Sequence, residues 1–282
     1  MNRKIVAIFA FSLFLFASCG DYTAVLKNAD YEYKYEAAKQ YYTCGQYNKA
    51  IMILQDVLAV MKGTEKGEES LYLLSMSAYK AKDYVSSASF FRKYYQSYPR
   101  GLYNEEARFY CGKSLYMCTP EPKLDQTDTY EAVTELQNFL EFYPDSHLKE
   151  EAHKLIFALQ DKLIDKEYLS AKLYFDLGGY FMNCSFGGSN FEACIVTAEN
   201  AMRDYPYMTR REDFSILILK AKYLLAVQSI ESKKEERFHN AIDEYYGFTN
   251  EFPESKYGKE AKEIYEKAMK NVKNKNQTEN GL

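Results

Sequence analysis

Apolar residues follow two different patterns along the chain. From Ile5 to Ala17 they form one nearly continuous run, which Arg3 and Lys4 precede. That run is shorter than the about 20 apolar residues that a membrane-spanning helix needs. Beyond it, apolar residues recur with the 3.6-residue period of amphipathic helices. The pattern predicts a short N-terminal segment of its own kind, followed by an all-α protein.

The N-terminal segment has the order of a secretory signal peptide: a basic start, an apolar centre and small residues at the end. Ala17 and Ser18 lead directly into Cys19, which resembles the bacterial lipobox, although Phe16 stands where that motif usually has leucine. We therefore predict a lipoprotein signal peptide over 1–18, lipidation of Cys19 and a linker over 19–28. The alternative is an ordinary cleavage near Ala17 that leaves Cys19 as a plain thiol.

Four aromatic–proline pairs, in SYPRG, FYPDS, DYPYM and EFPES, each close an amphipathic stretch. A proline stops a helix at the residue before it. A small residue precedes three of these prolines by 12 positions and Pro206 by 13, and a first unit has the small residue without the proline. A small residue lets a neighbouring helix come close. These positions are Ala50, Ser87, Ala132, Ala193 and Ala241.

This arrangement resembles the tetratricopeptide repeat, a helix–turn–helix unit of 34 residues. The resemblance implies a solenoid of about five helix pairs with a C-terminal capping helix, all within a domain over 29–272. Polar insertions lengthen the units, and the apolar period from His147 to Tyr180 predicts one long or kinked helix. The repeats are expected near 29–62, 66–99, 101–144, 146–206 and 210–253, the cap at 255–272 and a disordered tail at 273–282.

Composition narrows the functional classes. The chain has 28 tyrosines, no tryptophan and a formal net charge of −4, so nothing indicates a nucleic-acid partner. Beyond Cys19, an odd number of cysteines remains, and none forms a CxxC pair. We expect buried free thiols. The alternative is a disulfide between Cys184 and Cys194, which export of the protein would permit. The five cysteines are Cys44, Cys111, Cys118, Cys184 and Cys194.

No pattern in the chain predicts catalysis, a cofactor or a metal site. GxSxG, P-loop and dinucleotide-binding fingerprints are missing. His147 and His153 are six residues apart, whereas four would place two ligands on one helix face. Pairs of acids open predicted helices, where they complement the helix dipole. These pairs are Glu68–Glu69, Glu105–Glu106, Glu150–Glu151 and Glu235–Glu236.

Two stretches are more specific than a generic repeat: FYPDSHLKEEAHKLIFALQDKLIDKEYLSAKLYF (142–175) and NAMRDYPYMTRREDF (200–214). With the lipobox-like start, they make the chain similar to the BamD family. The resemblance implies a lipid-anchored scaffold of the β-barrel assembly machinery at the bacterial outer membrane, facing the periplasm. It implies two kinds of partner: a BamA-type barrel protein with other assembly subunits, and unfolded outer-membrane proteins.

The resemblance also suggests where these partners bind. We expect Tyr35, Tyr42, Tyr72 and Tyr79 in the N-terminal repeats to contact the substrate, and Arg203, Arg210 and Arg211 to contact the barrel protein. The alternatives are half-buried packing tyrosines and a solvated arginine cluster. A second functional hypothesis is a tetratricopeptide lipoprotein adaptor for envelope remodelling or glycan capture. The missing tryptophan disfavours glycan capture.

Overall fold

A computed structural model describes residues 22–179 and 189–279, with side chains as far as Lys273. Within these ranges the chain forms helices and no strand, so the all-α prediction is confirmed. The helices are α1 (22–27), α2 (Tyr31–Thr43), α3 (Tyr47–Met61), α4 (Glu65–Lys80), α5 (Tyr84–Ser97), α6 (Asn104–Cys118), α7 (Thr127–Phe142), α8 (Lys149–Leu177), α9 (Asn190–Asp204), α10 (Arg211–Val227), α11 (Glu231–Glu251) and α12 (Gly258–Glu279).

The aromatic residue before each repeat proline ends its helix in the same backbone conformation. Tyr98, Tyr143, Tyr205 and Phe252 have φ between −126° and −132° and ψ between 65° and 69°. Each backbone N–H still donates to the carbonyl four residues earlier, at 2.8–2.9 Å. The proline ring disfavours helical backbone at the residue before it. The predicted helix stops are therefore confirmed.

Side-chain caps begin helices α2, α4, α5 and α9. The Asp30 carboxylate accepts from the backbone N–H of Glu32 at 2.9 Å, and Asp83 accepts in the same way from Ser86 at 3.1 Å. Thr64 and Ser189 cap α4 and α9. Such a cap satisfies an N–H that has no partner inside the helix and contributes about 1 kcal/mol.

Successive helices pack against each other, and first helices of neighbouring pairs also touch. Helix α2 packs on α3 and on α4, and α10 packs on α11 and on α12. Small residues allow this approach: a Cβ atom at Gly112 of α6 would lie 2.8 Å from Leu136 Cδ2 of α7. Helix pairs that stack through their first helices are the arrangement expected of a tetratricopeptide-like fold.

Four of the five predicted small contact residues are buried: Ala50, Ser87, Ala132 and Ala241. The choice of Ala193 in the fourth unit is wrong. Ala193 is only partly buried, whereas its neighbour Cys194 is fully buried. Cys194 lies 12 residues before Pro206, so the spacing of the other units holds here once a thiol is accepted as the small residue.

The described chain divides into two compact units. Unit 1 runs to Pro120 and resumes over Asp125–Leu159, and unit 2 contains Glu121–Leu124 and the described residues from Gln160 onward. In unit 1, apolar cores join α1 to α6 and then α6 to the first part of α8. In unit 2, they join the rest of α8 to α9 and α10, and then α10 to α12.

The predicted domain and repeat boundaries stay predictions, but the C-terminal tail differs from its expectation. Helix α12 runs to Glu279, past Val272, where we expected the cap to end. Extending an existing helix costs far less than starting one. The polar composition of 273–279 therefore did not stop it. The last three residues lie outside the described chain.

The cysteines only partly match the expectation of buried thiols. Cys111 and Cys194 are buried and free, and burial raises the pKa of each thiol to about 12. Cys118 is partly buried. The expectation is wrong for Cys44, which is exposed because it follows the last residue of α2. Cys184 lies outside the described residues.

Candidate functional site

Tyr35 is a core residue and offers almost no surface to a substrate. It is 3% exposed, and its hydroxyl donates to the Glu69 carboxylate, which ties α2 to α4. Lys39 Nζ lies 3.2 Å from the same hydroxyl and 2.9 Å from Glu69. Burial, followed by the hydrogen bond to Glu69, raises the pKa of Tyr35. Its burial argues against direct contact with a substrate.

Tyr72 stands in a stack of rings. It lies parallel to Tyr103 with ring centroids 4.1 Å apart, and it meets the edges of Phe91 and Tyr94 at 6.2 and 6.0 Å. The side chain is partly buried, and burial, followed by the charge of Glu106, raises its pKa. Its neighbours hold the ring in one orientation, and part of it remains at the surface.

Tyr79 and Tyr42 are partly buried in the same way. Tyr79 meets the ring of Tyr110 edge-on at 5.0 Å and that of Tyr84 at 5.6 Å. Tyr42 meets the ring of Tyr47 at 5.8 Å. Burial, followed by electrostatic interaction with Tyr47 and Tyr110, raises the pKa of Tyr42. Within the described residues, neither the Tyr42 nor the Tyr72 hydroxyl makes a hydrogen bond.

These rings form one surface, which we call the tyrosine face. Tyr72 interacts electrostatically with Tyr42, Tyr103 and Tyr110, and Tyr79 touches Tyr110, so the helices bring the set together. One cation joins it: Lys113 Nζ lies 5.6 Å from the Tyr110 ring and pairs with Glu151 at 2.6 Å. The face consists of Tyr42, Tyr72, Tyr79, Tyr103, Tyr110 and Lys113.

Sequence reasoning found three residues of this face and missed Tyr103, Tyr110 and Lys113. The 37-residue spacing gave no signal for Tyr110, because it leads from Tyr72 to Phe109, a fully buried core residue. The helix-dipole account of the paired acids was also incomplete. Glu68 accepts from the Tyr94 hydroxyl at 2.6 Å and from the Leu102 N–H at 2.8 Å, so it joins successive pairs of helices.

In unit 2, Arg211 is partly buried and makes its contacts within the fold. Its Nη1 donates to the Met202 carbonyl at 3.3 Å, and its Nε pairs with Glu251. These contacts tie the start of α10 to α9 and to the end of α11. Two of its five guanidinium N–H donors therefore already have partners within the fold.

Arg210 is also engaged. Its Nε lies 3.0 Å from Asp165 Oδ1, and its guanidinium lies 4.6 Å from the centroid of the Tyr168 ring. Both partners belong to α8. The contact fixes Arg210 at the N-cap position of α10, where its side chain makes no capping hydrogen bond. Part of the Arg210 side chain remains exposed.

Arg203 differs from the other two arginines because it is mainly in solvent. Its side chain is 71% exposed, and its nearest carboxylate is that of the next residue, Asp204, at 3.4 Å. Tyr207 lies just beyond α9, in the turn that leads to α10, and is 99% exposed. We call Arg203, Tyr207, Arg210 and Arg211 the arginine turn. Arg203 is the member most able to reach a partner.

Comparison with known proteins assigns this arrangement of helix pairs to a family. The family model YfiO, described as an outer membrane lipoprotein, matches residues 27–185. That match covers more than half of the chain. The chain belongs to the YfiO family.

One curated protein is similar to part of the chain. It is the putative outer membrane protein assembly factor BamD of Aquifex aeolicus (strain VF5), 29% identical over 146 residues. The match takes in 51% of this chain and 48% of that protein. The chain therefore spans about half the length of the relative.

The YfiO match divides the candidate residues. Every residue of the tyrosine face lies within 27–185, and every residue of the arginine turn lies beyond it. The tyrosine face thus belongs to the part of the chain that carries the family pattern. The arginine turn is a candidate site only because of the contacts and exposure of its residues in unit 2.

Other predictions concern the membrane and catalysis. Cys19 lies outside the described residues, so its lipidation stays a prediction. Among the described helices, we find none with both the length and the apolar character needed to cross a bilayer. Within the described ranges, His, Cys, Asp and Glu form no group of three placed to hold a metal ion. That the protein is not an enzyme also stays a prediction.

Proposed function

We propose that this YfiO-family protein is a lipid-anchored scaffold of the outer-membrane β-barrel assembly machinery. An acylated Cys19 attaches it to the outer membrane, and its helical domain faces the periplasm. The observation that carries the proposal is the YfiO match over 27–185, which contains the whole tyrosine face. The description of the family as outer membrane lipoproteins and the name of the Aquifex relative support it.

In this proposal, the tyrosine face receives unfolded outer-membrane proteins. A strand destined for a barrel carries aromatic side chains towards the lipid and exposes unpaired backbone groups before it folds. Partly exposed rings such as Tyr72 and Tyr79 offer stacking surfaces, and a favourable aromatic pair is worth about 0.5–1.5 kcal/mol beyond burial. The hydroxyls of Tyr42 and Tyr72 offer hydrogen bonds to a backbone. Tyr35 holds the helices in place beneath this face.

The arginine turn provides the contact with a BamA-type barrel protein. The exposed guanidinium of Arg203 can pair with a carboxylate of the partner through two parallel hydrogen bonds. Arg210 and Arg211 act differently, because their contacts with Asp165 and Glu251 fix the turn that presents Arg203 and Tyr207. We therefore assign direct contact to Arg203 and a positioning role to the other two arginines.

The test is a pull-down of the tagged protein from its own outer membrane in mild detergent, with copurifying proteins identified by mass spectrometry. We expect a stoichiometric barrel protein that bears periplasmic repeat domains. Arg203→Ala should reduce its recovery, whereas Lys270→Ala, a change at another exposed cation, should not. Copurification of envelope-remodelling enzymes or a glycan transporter in its place would contradict the proposal and favour the adaptor hypothesis.

A further inference from the structure

A groove in unit 2 lies apart from the arginine turn. Helices α9, α10 and α11 surround an open cavity of about 480 Å³. Glu192, which lines it, precedes Arg203 on α9 by 11 residues, or about 16 Å along a helix. The groove residues that matter here are Ile195, Leu225, Glu236, Asn240, Asp243 and Gly247.

Ion pairs across the groove hold its walls in place. Arg237 of α11 pairs with Glu192 of α9 at 2.7 Å, and Lys222 of α10 pairs with Glu244 of α11 at 2.7 Å. Arg237 also donates to Ser229 Oγ at 2.7 Å. Three helices are therefore braced against each other around the cavity, so a partner would not have to order the groove before binding.

The floor and the rim of the groove have different chemistry. Ile195 and Leu225 are apolar and only partly buried, so they leave apolar surface open. Glu236 and Asp243 are exposed on the rim, and neither makes an ion pair with another described residue. Lys233 also lines the groove and brings one ammonium group that has no ion pair with another described residue. The two carboxylates on the rim therefore outnumber it. The groove thus combines an apolar floor with a negatively charged rim.

The rim residues of α11 share one face of that helix. Glu236, Asn240, Asp243 and Gly247 have the spacing i, i+4, i+7 and i+11. Gly247 is unusual here, because glycine disfavours a helix and a Cβ atom at this position would meet nothing within 4 Å. Packing within the described chain does not require a glycine. A glycine on an open groove face lets the backbone of another molecule come close.

We propose that this groove docks an amphipathic helix of a partner protein. Its apolar side chains lie on Ile195 and Leu225, its backbone passes close to Gly247, and a lysine or arginine pairs with Asp243 or Glu236. The rim from Glu236 to Gly247 is about 16 Å long, which suits about three turns of helix. The recognition mode is a helix in a groove, with anchors at helical spacing. The inference rests on this groove alone and does not require the proposed assembly function.

The test uses the full chain in its native membrane. A photo-crosslinking amino acid replaces Lys233 at one end of the groove, and a matched one replaces Val196, which is 55% exposed on α9 and does not line the groove. We expect a crosslink from position 233 at least fivefold stronger than that from 196. Mass spectrometry should map it to a partner segment with apolar residues at helical spacing and a lysine or arginine.

Variants decide whether the groove makes the contact. Asp243→Lys should weaken the crosslink at least fivefold, and reversing the charge of the mapped partner residue should restore it. Gly247→Gln should abolish the crosslink while the circular dichroism spectrum is unchanged, because the site has open space. Gly258→Gln, at another glycine with open space, is the matched control.

Four results would overturn the proposal. These are no crosslink above the level at position 196, a crosslink only to a second copy of this chain, a partner segment without a basic residue, and full crosslinking in Gly247→Gln.

Discussion

The tyrosine face of unit 1 is rich in tyrosine and the arginine turn of unit 2 in arginine, and both residue types bind partners well. The fold uses them differently. The tyrosines are held by other rings, as Tyr72 is held by Tyr103, and hydroxyls such as that of Tyr42 make no hydrogen bond within the described chain. In the arginine turn, Arg210 and Arg211 use their charged groups on Asp165 and Glu251.

This difference separates residues that hold a surface together from residues that can still bind. A ring can pack on one side and present its other side, whereas a guanidinium that pairs with an internal carboxylate has fewer donors left for a partner. By the same reasoning, Tyr35 belongs with Arg211. Its hydroxyl is used by Glu69 and its ring is buried.

The largest expected effect comes from removing the ring beneath the tyrosine face. Phe91 is fully buried, 6.2 Å from Tyr72 and 5.7 Å from Tyr110 between ring centroids. Phe91→Ala should lower the free energy of unfolding by about 3–5 kcal/mol. Urea unfolding followed by circular dichroism measures this loss. Phe157→Ala, at a ring 62% exposed, is the control and should change stability by less than about 0.5 kcal/mol. Equal losses in Phe91→Ala and Phe157→Ala would show that the buried Phe91 ring does not stabilise the helices that carry the tyrosine face.

The next effect concerns the acid that joins successive helix pairs in unit 1. The Tyr94 hydroxyl donates to Glu68 and accepts from the Tyr103 N–H at 3.1 Å. Tyr94→Phe leaves both groups without this partner, which should cost about 1–3 kcal/mol in urea unfolding. Tyr33→Phe, at an exposed tyrosine, should cost almost nothing. If the two variants are equally stable, hydrogen bonding does not hold Tyr103 in place.

Two arginine variants sharpen the comparison in unit 2. Arg211→Ala removes an ion pair and a charged hydrogen bond to the Met202 carbonyl, and should destabilise the protein by about 1 kcal/mol. Arg203→Ala should change stability by less than about 0.5 kcal/mol and act only on partner recovery. Thermal unfolding and the membrane pull-down, run on both variants, separate the two roles. Normal partner recovery with Arg203→Ala would remove its assignment as a contact.

The smallest expected effect is a dependence of stability on pH. One acid in each unit contributes to it: Glu69 in unit 1 and Asp213 in unit 2. Burial alone would raise the pKa values of both acids. Hydrogen bonds from Tyr35 and Lys39 nevertheless hold the pKa of Glu69 below its ordinary value of 4.5. Hydrogen bonds from Tyr257 and Lys256 likewise hold the pKa of Asp213 below its ordinary value of 3.8. Their stabilising contribution is therefore complete above those ordinary values and is lost as pH falls through the lower folded values.

Urea midpoints from pH 7 to pH 3 test this dependence. Glu69→Gln and Asp213→Asn should each be less stable than the wild type at pH 7 and approach it at the acidic end. A difference that stays constant across the range would contradict the account.

The sequence predicted much of the fold because its signals are local. Each aromatic–proline pair acts on the residue before it, so the helix ends were correct at Tyr98, Tyr143, Tyr205 and Phe252. The miss at Ala193 came from a small residue, Cys194, that did not look like alanine.

The candidate site was less predictable because burial and pairing are not local. Nothing near Tyr35 in the sequence shows that Glu69, 34 residues away, receives its hydroxyl. The same holds for Arg211 and Glu251, which are 40 residues apart. Lys113 was missed because the carboxylate that holds it, that of Glu151, lies 38 residues further along the chain.

The most direct test of the assembly proposal asks what touches the tyrosine face in the cell. A photo-crosslinking amino acid placed at Tyr79, on the face, is compared with one at Phe157, an exposed ring outside it. Newly exported outer-membrane proteins are labelled in a short pulse before illumination. We expect crosslinks from position 79 to unfolded outer-membrane proteins, which disappear during a chase as these proteins fold, and none from position 157. Equal labelling at both positions, or no outer-membrane protein at position 79, would contradict the account.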